Sequence, residues 1–210
     1  MYRFIDAGPF WEHITRRTEF VAFDLETTGL EPETERITEI GAVRFTLERH
    51  LGNFNQLIDP GRPIHPDAVR VSGITDLMVR GQPAVETVLE PFLDFVDSAP
   101  LVAHNAPFDA SFLCLALRRA GRPLPANPIF DTCQLAKTLW PHFPRYSLTR
   151  VLDALGIAHD TLHRALEDAA ACRDVFVRIA EKIMDEKLLT NALRFRAALC
   201  LTEDDVDQPV

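Results

Sequence analysis

Residues 20–30 read Phe-Val-Ala-Phe-Asp-Leu-Glu-Thr-Thr-Gly-Leu. Val, Phe and Leu favour an extended chain and Thr-Thr-Gly supplies a turn, so the segment is expected to be a strand buried in a sheet. Two carboxylates, Asp24 and Glu26, stand inside it. Side chains alternate faces along a strand, so both project to the same side, roughly 6 to 7 Å apart. Ionised acids that close repel each other, and burying one costs several kcal/mol, on the order of a domain's whole stability, unless something positive compensates it. Taken alone, the pair reads equally well as two exposed residues leading into the turn.

Two further segments carry the same anomaly. In LVAHNAPFDASFL (101–113), Asp109 opens a helix, and Phe112, Leu113, Ala116 and Leu117 follow at helical spacing, which puts the acid on the apolar stripe. Its plainer role would be to complement the helix dipole. In HRALEDAAA (163–171), Asp168 shares a helical face with Cys172, Val175 and Ile179, where a structural salt bridge is the alternative. His163 stands five residues earlier, about 140° out of phase on an ideal helix, so it meets Asp168 only from the loop before the helix. A histidine there, titrating ordinarily near pH ~6.5, can take a proton from an attacking water. His159 is the rival base, and a solvent-exposed loop residue is the plain alternative for His163.

Read together, the four carboxylates form one oxygen-only ligand set. Such a set selects Mg²⁺ or Mn²⁺ over Zn²⁺, and it is large enough for two ions at ~3.5 to 4 Å separation, an arrangement that hydrolyses phosphodiesters.

Outward from the first strand, residues 36–46 and 54–58 also look extended, with connections too short for a parallel crossover, so three antiparallel strands are expected. The pattern then alternates: a helix in VETVLEPFLDFVDS, a strand in LVAHN, a helix ending at Gly121, a short strand in PIFDT, and helices in CQLAKTLW, SLTRVLDALG and 165–184. This is an α/β fold with a mixed sheet, an antiparallel meander plus parallel strands, flanked by helices. The segment 59–83, with four prolines and three glycines, reads as an ordered surface connection. Asp131 and Gln134 read as a capping box, Ser147 as a helix N-cap, and Glu39 as either a partner behind the acidic site or an edge residue. Tyr2, Phe10 and Trp11 are expected to pack on the domain.

The chain has 210 residues, 47% of them hydrophobic, which suits one domain at 19–184 with an N-terminal arm at 1–18 and a C-terminal helix or tail at 185–210, acidic and disordered from residue 202. A formal net charge of −9 excludes a protein that coats nucleic acid through a broad basic face, but not a nuclease whose acids meet metal. Four scattered cysteines without a C-x-x-C pair read as buried thiols. No apolar run reaches the ~18 residues of a membrane span and no secretory signal opens the chain, so a cytoplasmic location is expected.

The segments FDLETTG, HNAPFDASFL and HRALEDA, in this order, resemble the DEDDh 3′-to-5′ exonucleases, in forms most like those of the epsilon and PolC-type proofreading nucleases. The resemblance covers residues 19–184 and implies an RNase H-like fold and two-metal release of nucleoside 5′-monophosphates from DNA 3′ ends. It further implies that Asp24 bridges both metals, that Glu26 and Asp168 complete one site, that Asp109 serves the second and that His163 is the general base. Thr27, Thr28 and Phe108 match positions lining the terminal nucleotide, and His104 and Asn105 match the motif with a supporting role. Family members often carry histidine before the Gly-Ile-Thr of the middle loop. Here that position is Ser72; catalysis is expected to survive while contact to the terminal nucleotide changes. Single-stranded or frayed DNA ends are the expected substrate and a DNA polymerase catalytic subunit a partner. RNA 3′-end trimming and a non-catalytic polymerase-binding module stand as alternatives.

Overall fold

The computed structural model describes residues 2–5, 11, 14–159, 163–185 and 198–202. Strand β1 (Tyr2–Ile5) is followed by the meander β2 (Phe20–Thr27), β3 (Ile37–Phe45) and β4 (His50–Leu57). Then come helices α1 (Pro66–Ser72), α2 (Asp76–Val79) and α3 (Val85–Val96), strand β5 (Leu101–Ala103) and helix α4 (Pro107–Arg119). Strand β6 (Ile129–Asp131), helices α5 (Thr132–Leu139), α6 (Leu148–Leu155) and α7 (Ala165–Asp185), and strand β7 (Ala198–Leu201) complete the order.

The strands form one mixed sheet in the order β1-β7-β6-β5-β2-β3-β4. β2, β3 and β4 are antiparallel, as the short connections require, whereas β5 and β6 run parallel to β2. The parallel pairing follows from helical crossovers, α3 before β5 and α4 before β6. β2 lies between β3 and β5 with helices on both faces, so Phe20–Phe23 form an unbroken apolar run and the acids appear only toward its end.

Two cores flank the sheet. Val21, Phe23 and Leu25 point into one, with Val88, Leu89 and Phe92 of α3 and Leu113 and Leu117 of α4. Phe20 and Ala22 point into the other, where Phe176 of α7 packs on Phe20, Phe45, Phe130 and Trp11 at ring separations of 4.9 to 6.1 Å. Trp11 thus packs on the domain as expected, and Tyr2 lies against the first core; Phe10 lies outside the described residues.

The sheet extends further than the sequence reading allows. Residues 1–18 and 185–210 were expected as an arm and a helix or tail, but β1 and β7 are antiparallel strands, with β7 joined to β6. Each is four residues long, too short for alternation to distinguish a strand from a helix turn. Residues 203–210, where a disordered tail was expected, lie outside the described residues. The connection 59–83 contains α1 and α2, packed over a small cluster of Ile64, Ile74 and Val79. Its prolines conceal α1, because Pro66 occupies the first turn, where its missing N–H is harmless, and Gly73 closes the helix with φ 69°. Among the described residues, all four cysteines are free thiols, and no helix is long and apolar enough to cross a membrane.

Candidate active site

The alternation that sends Phe20 and Ala22 toward α7 continues to Asp24 and Glu26 at the end of β2. Across the ladder, Gly41 pairs with Asp24 and Glu39 with Glu26. The two β3 residues seat the start of α7. A Cβ added to Gly41 would lie 2.1 Å from the Ala165 carbonyl carbon and 2.2 Å from Leu166 N, so the first turn of α7 rests directly on the strand backbone. Glu39, fully buried, accepts hydrogen bonds from Arg164 Nε at 3.0 Å, Arg164 Nη2 at 2.5 Å and Ala165 N at 3.1 Å. Asp168, one turn later, arrives with a carboxylate oxygen within 4.8 Å of oxygens of both Asp24 and Glu26.

Asp109 reaches the same place from the other face of the sheet. It lies buried in the first turn of α4 and accepts a hydrogen bond from Leu25 N at 3.0 Å, which fixes it beside the end of β2. His163 lies outside α7, as the phase argument requires, with φ 99° and its N–H directed at Asp168 Oδ1 (3.3 Å) and Oδ2 (3.1 Å). All five residues line one cleft of about 550 Å³. His159 is bonded instead to Asp153 Oδ1 at 3.2 Å, away from the cleft lining.

Burial, followed by the charges of Asp109, Asp168, Glu26 and Glu39, pushes the Asp24 carboxyl well above the usual range. Glu26 is pushed up to about 8, by burial first and then by Asp168 and Glu39, with Arg164 opposing. Asp168 is pushed up to about 6, by burial, against the His163 amide. Burial also raises Asp109, although the Leu25 amide opposes it. Four acids that each resist ionisation for want of positive charge form a set that fits a hard divalent cation, and their donors are all oxygens.

The surrounding residues divide. Thr27 and Phe108 line the cleft, Thr27 with its hydroxyl donated to Gly29 O at 2.6 Å. Thr28 does not: it is fully buried and its hydroxyl donates to Glu35. A register shift between Glu26 and Thr27 interrupts the alternation that would have kept Thr28 on the face of Asp24. Ser72 also turns inward, donating to Ala68 O at 3.0 Å and accepting from Ile74 N at 3.2 Å. His104 is held at both ring nitrogens, by Thr132 Oγ1 and Tyr146 O at 2.8 Å each, and burial pushes it down to about 4, so it stays neutral and props the motif. Asn105, at φ 63°, donates its N–H to Asp131, which also caps α5 through Cys133 N and Gln134 N. Ser147 occupies the α6 N-cap position without a side-chain capping bond.

Sequence reasoning missed the seat of α7 on Gly41 and the partner of Glu39, which proves to be buried behind the acids rather than at an edge. A glycine inside an apolar strand was the available signal for the first. It also missed the cleft walls of Leu30, His65 and Val71.

Residues 21–176 match the RNase T family model, described as exonuclease. The chain is 37% identical to a PolC-type DNA polymerase III of Clostridium perfringens over 82% of its own length, and 39% identical to one from Thermotoga petrophila over 77%. It spans only 13% and 12% of those relatives. Among solved structures, Exonuclease X in complex with 5′ overhanging duplex DNA is similar at 28% identity and TM-score 0.64, with 78% of this chain and 92% of that one covered. The nuclease domain of 3′hExo, a DEDDh family member bound to rAMP, shares the fold at 19% identity and TM-score 0.70, with 80% of this chain and 94% of that one covered.

Proposed function

The chain belongs to the exonuclease family matched by residues 21–176, and on that footing we propose that it hydrolyses phosphodiester bonds at DNA 3′ ends, releasing nucleoside 5′-monophosphates in proofreading or repair. The observation that carries the reading is the meeting of Asp24, Glu26 and Asp168 oxygens within 4.8 Å of one another, on a cleft that Asp109 and His163 also line. Asp24, Glu26 and Asp168 would hold one Mg²⁺ or Mn²⁺, and Asp24 with Asp109 a second. Such cations supply Lewis-acid activation and neutralise charge building on the phosphate. His163, exposed on the turn beside Asp168, takes the proton of the attacking water. Thr27 and Phe108 border the seat of the terminal nucleotide. His104 and Asn105 hold the β5–α4 turn, which keeps Asp109 against Leu25.

The relatives named as polymerases support a replication setting, with a polymerase catalytic subunit as partner. The decisive comparison is hydrolysis of matched single-stranded DNA, 3′-mismatched duplex DNA and RNA with Mg²⁺ or Mn²⁺, in wild type and Asp24→Ala. Metal-dependent release from DNA ends that is lost in Asp24→Ala is expected. Full activity in the variant refutes the mechanism, and faster release from RNA refutes the choice of polymer.

A further inference from the structure

We propose that Glu39 and Arg164 are a positioning pair for His163, holding the turn that aims the imidazole into the cleft; the inference rests on the reading of His163 as general base. Residues 163–165 are held at three consecutive points. The His163 N–H is bound by Asp168, the Arg164 guanidinium meets Glu39 through Nε and Nη2, and the Ala165 N–H donates to the same Glu39 at 3.1 Å. Glu39 is the fixed end: its side chain is 1% exposed, on a strand paired on both sides, whereas that of Arg164 is 39% exposed. A buried carboxylate needs such a partner, but that need alone does not explain the location. The guanidinium fork ties the residue immediately after His163 in the chain to Glu39, and His163 carries a left-handed φ of 99°, which an unheld histidine rarely keeps.

The helix itself has a separate support. Gly41 lets the Ala165–Leu166 backbone rest on β3 whatever the side chain at 164. Loss of the guanidinium therefore frees the turn carrying the base while Asp168 keeps its seat. Arg164 acts through another residue, and its effect should vanish when that residue is absent.

The test is a double-mutant cycle on the full chain with a labelled single-stranded oligonucleotide. Arg164→Gln is expected to lower kcat ~10²-fold with KM within about twofold, the loss typical of a catalytic group displaced by ~1 Å. In a His163→Ala background the same change should cost less than about twofold. Arg164→Lys, which keeps the charge but not the two-point fork, should recover part of the rate and covers the case in which Arg164→Gln folds poorly. Equal losses in both backgrounds overturn the proposal, because Arg164 would then act on the acids, the substrate or the fold. A second readout uses metal-free protein: hydrogen exchange at the His163 and Ala165 amides should quicken about tenfold or more in Arg164→Gln while β2 amides stay unchanged. Unchanged exchange at 163 and 165 overturns the clamp by itself. A wild type without exonuclease activity would refute the proposed function instead and leave the exchange result standing.

Discussion

Gly41→Ala should disable the site without touching any carboxylate. The added Cβ would fall 2.1 Å from the Ala165 carbonyl carbon, whereas ordinary van der Waals contact begins at 3.4 Å, so the start of α7 must retreat by the difference, about 1.3 Å. The Cβ is fixed by the strand and the atoms it meets are backbone, so no rotamer change can relieve the overlap. Forcing a methyl into a packed core typically costs ~1 to 3 kcal/mol, and this contact belongs at the upper end. The functional loss should be larger than the loss of stability implies. A catalytic constellation tolerates displacements of ≈ 0.5 Å, and a misplacement of ~1 Å costs ~10²-fold in rate. Because α7 carries Asp168 and follows directly on His163, the shift separates Asp168 from Asp24 and Glu26 and moves His163 together with it. The assay pairs initial rates on a labelled single-stranded oligonucleotide with a thermal melt and Mn²⁺ calorimetry. Gly52→Ala is the control, since its Cβ would meet the Phe95 ring at 3.7 Å, an ordinary contact. Wild-type kcat and an unchanged melt in Gly41→Ala would show that α7 does not rest on β3, and the explanation of how the acids are assembled would fail.

Two further predictions concern titration. Glu26, ordinarily at 4.5, is raised to about 8 in the fold, so between those values the native state binds more protons than the unfolded one and metal-free stability must fall as pH rises. The melting temperature of metal-free protein should drop from pH 6.5 to 8, and Mn²⁺ should raise it more at pH 8 than at pH 6.5; a flat metal-free profile would refute the burial of uncompensated acids. His104 has the opposite sign: its folded value, about 4, lies below the ordinary 6.5, so the stability it contributes is present above pH 6.5 and is lost as pH falls toward 4. The advantage of wild type over His104→Gln in melting temperature should narrow over that acid window, and an unchanged difference would show that His104 is not held neutral.

The floor of the cleft was legible in the sequence because it depends on periodicities that a linear chain displays. Asp24 and Glu26 share a face by the two-residue repeat of a strand, Asp109 and Asp168 lie on apolar stripes by the helical repeat, and the phase of His163 excludes it from α7. What was not legible depends on registers between distant segments. Glu39 and Arg164 stand 125 positions apart, and nothing local to either discloses the other. Thr28, placed at the terminal nucleotide by the family resemblance, stands just past a register shift after Glu26 and is buried against Glu35 instead, a local irregularity that motif matching does not disclose. β7 was misread because a four-residue strand carries too little pattern to be told from a helix turn, and its partners β1 and β6 lie far away in the sequence.

The same division separates reaction from selectivity. On the proposed mechanism the carboxylates and His163 act on groups common to every phosphodiester, so preference among polymers must come from the walls. There the nearby hydroxyls are already engaged: Thr28 with Glu35, Ser72 with its own helix, and Thr27 with Gly29 O. The side of α1 toward the cleft presents Asp67, Ala68 and Val71 in place of Ser72, with the N-cap His65 beside them, and Leu30 and Phe108 complete the wall. Leu30 and Val71 are 78% and 56% exposed, two of the four large apolar side chains left in solvent among the described residues. Exposed apolar groups at the rim of an acidic cleft offer a flat, uncharged surface to a base while leaving the phosphate to the floor. Discrimination built this way is steric and apolar, which in a hydrophobic pocket amounts to only ~1 to 3 kcal/mol for each small group gained or lost. The proposed preference for DNA over RNA is accordingly expected to be a graded ratio of rates, with both polymers reaching the same acids.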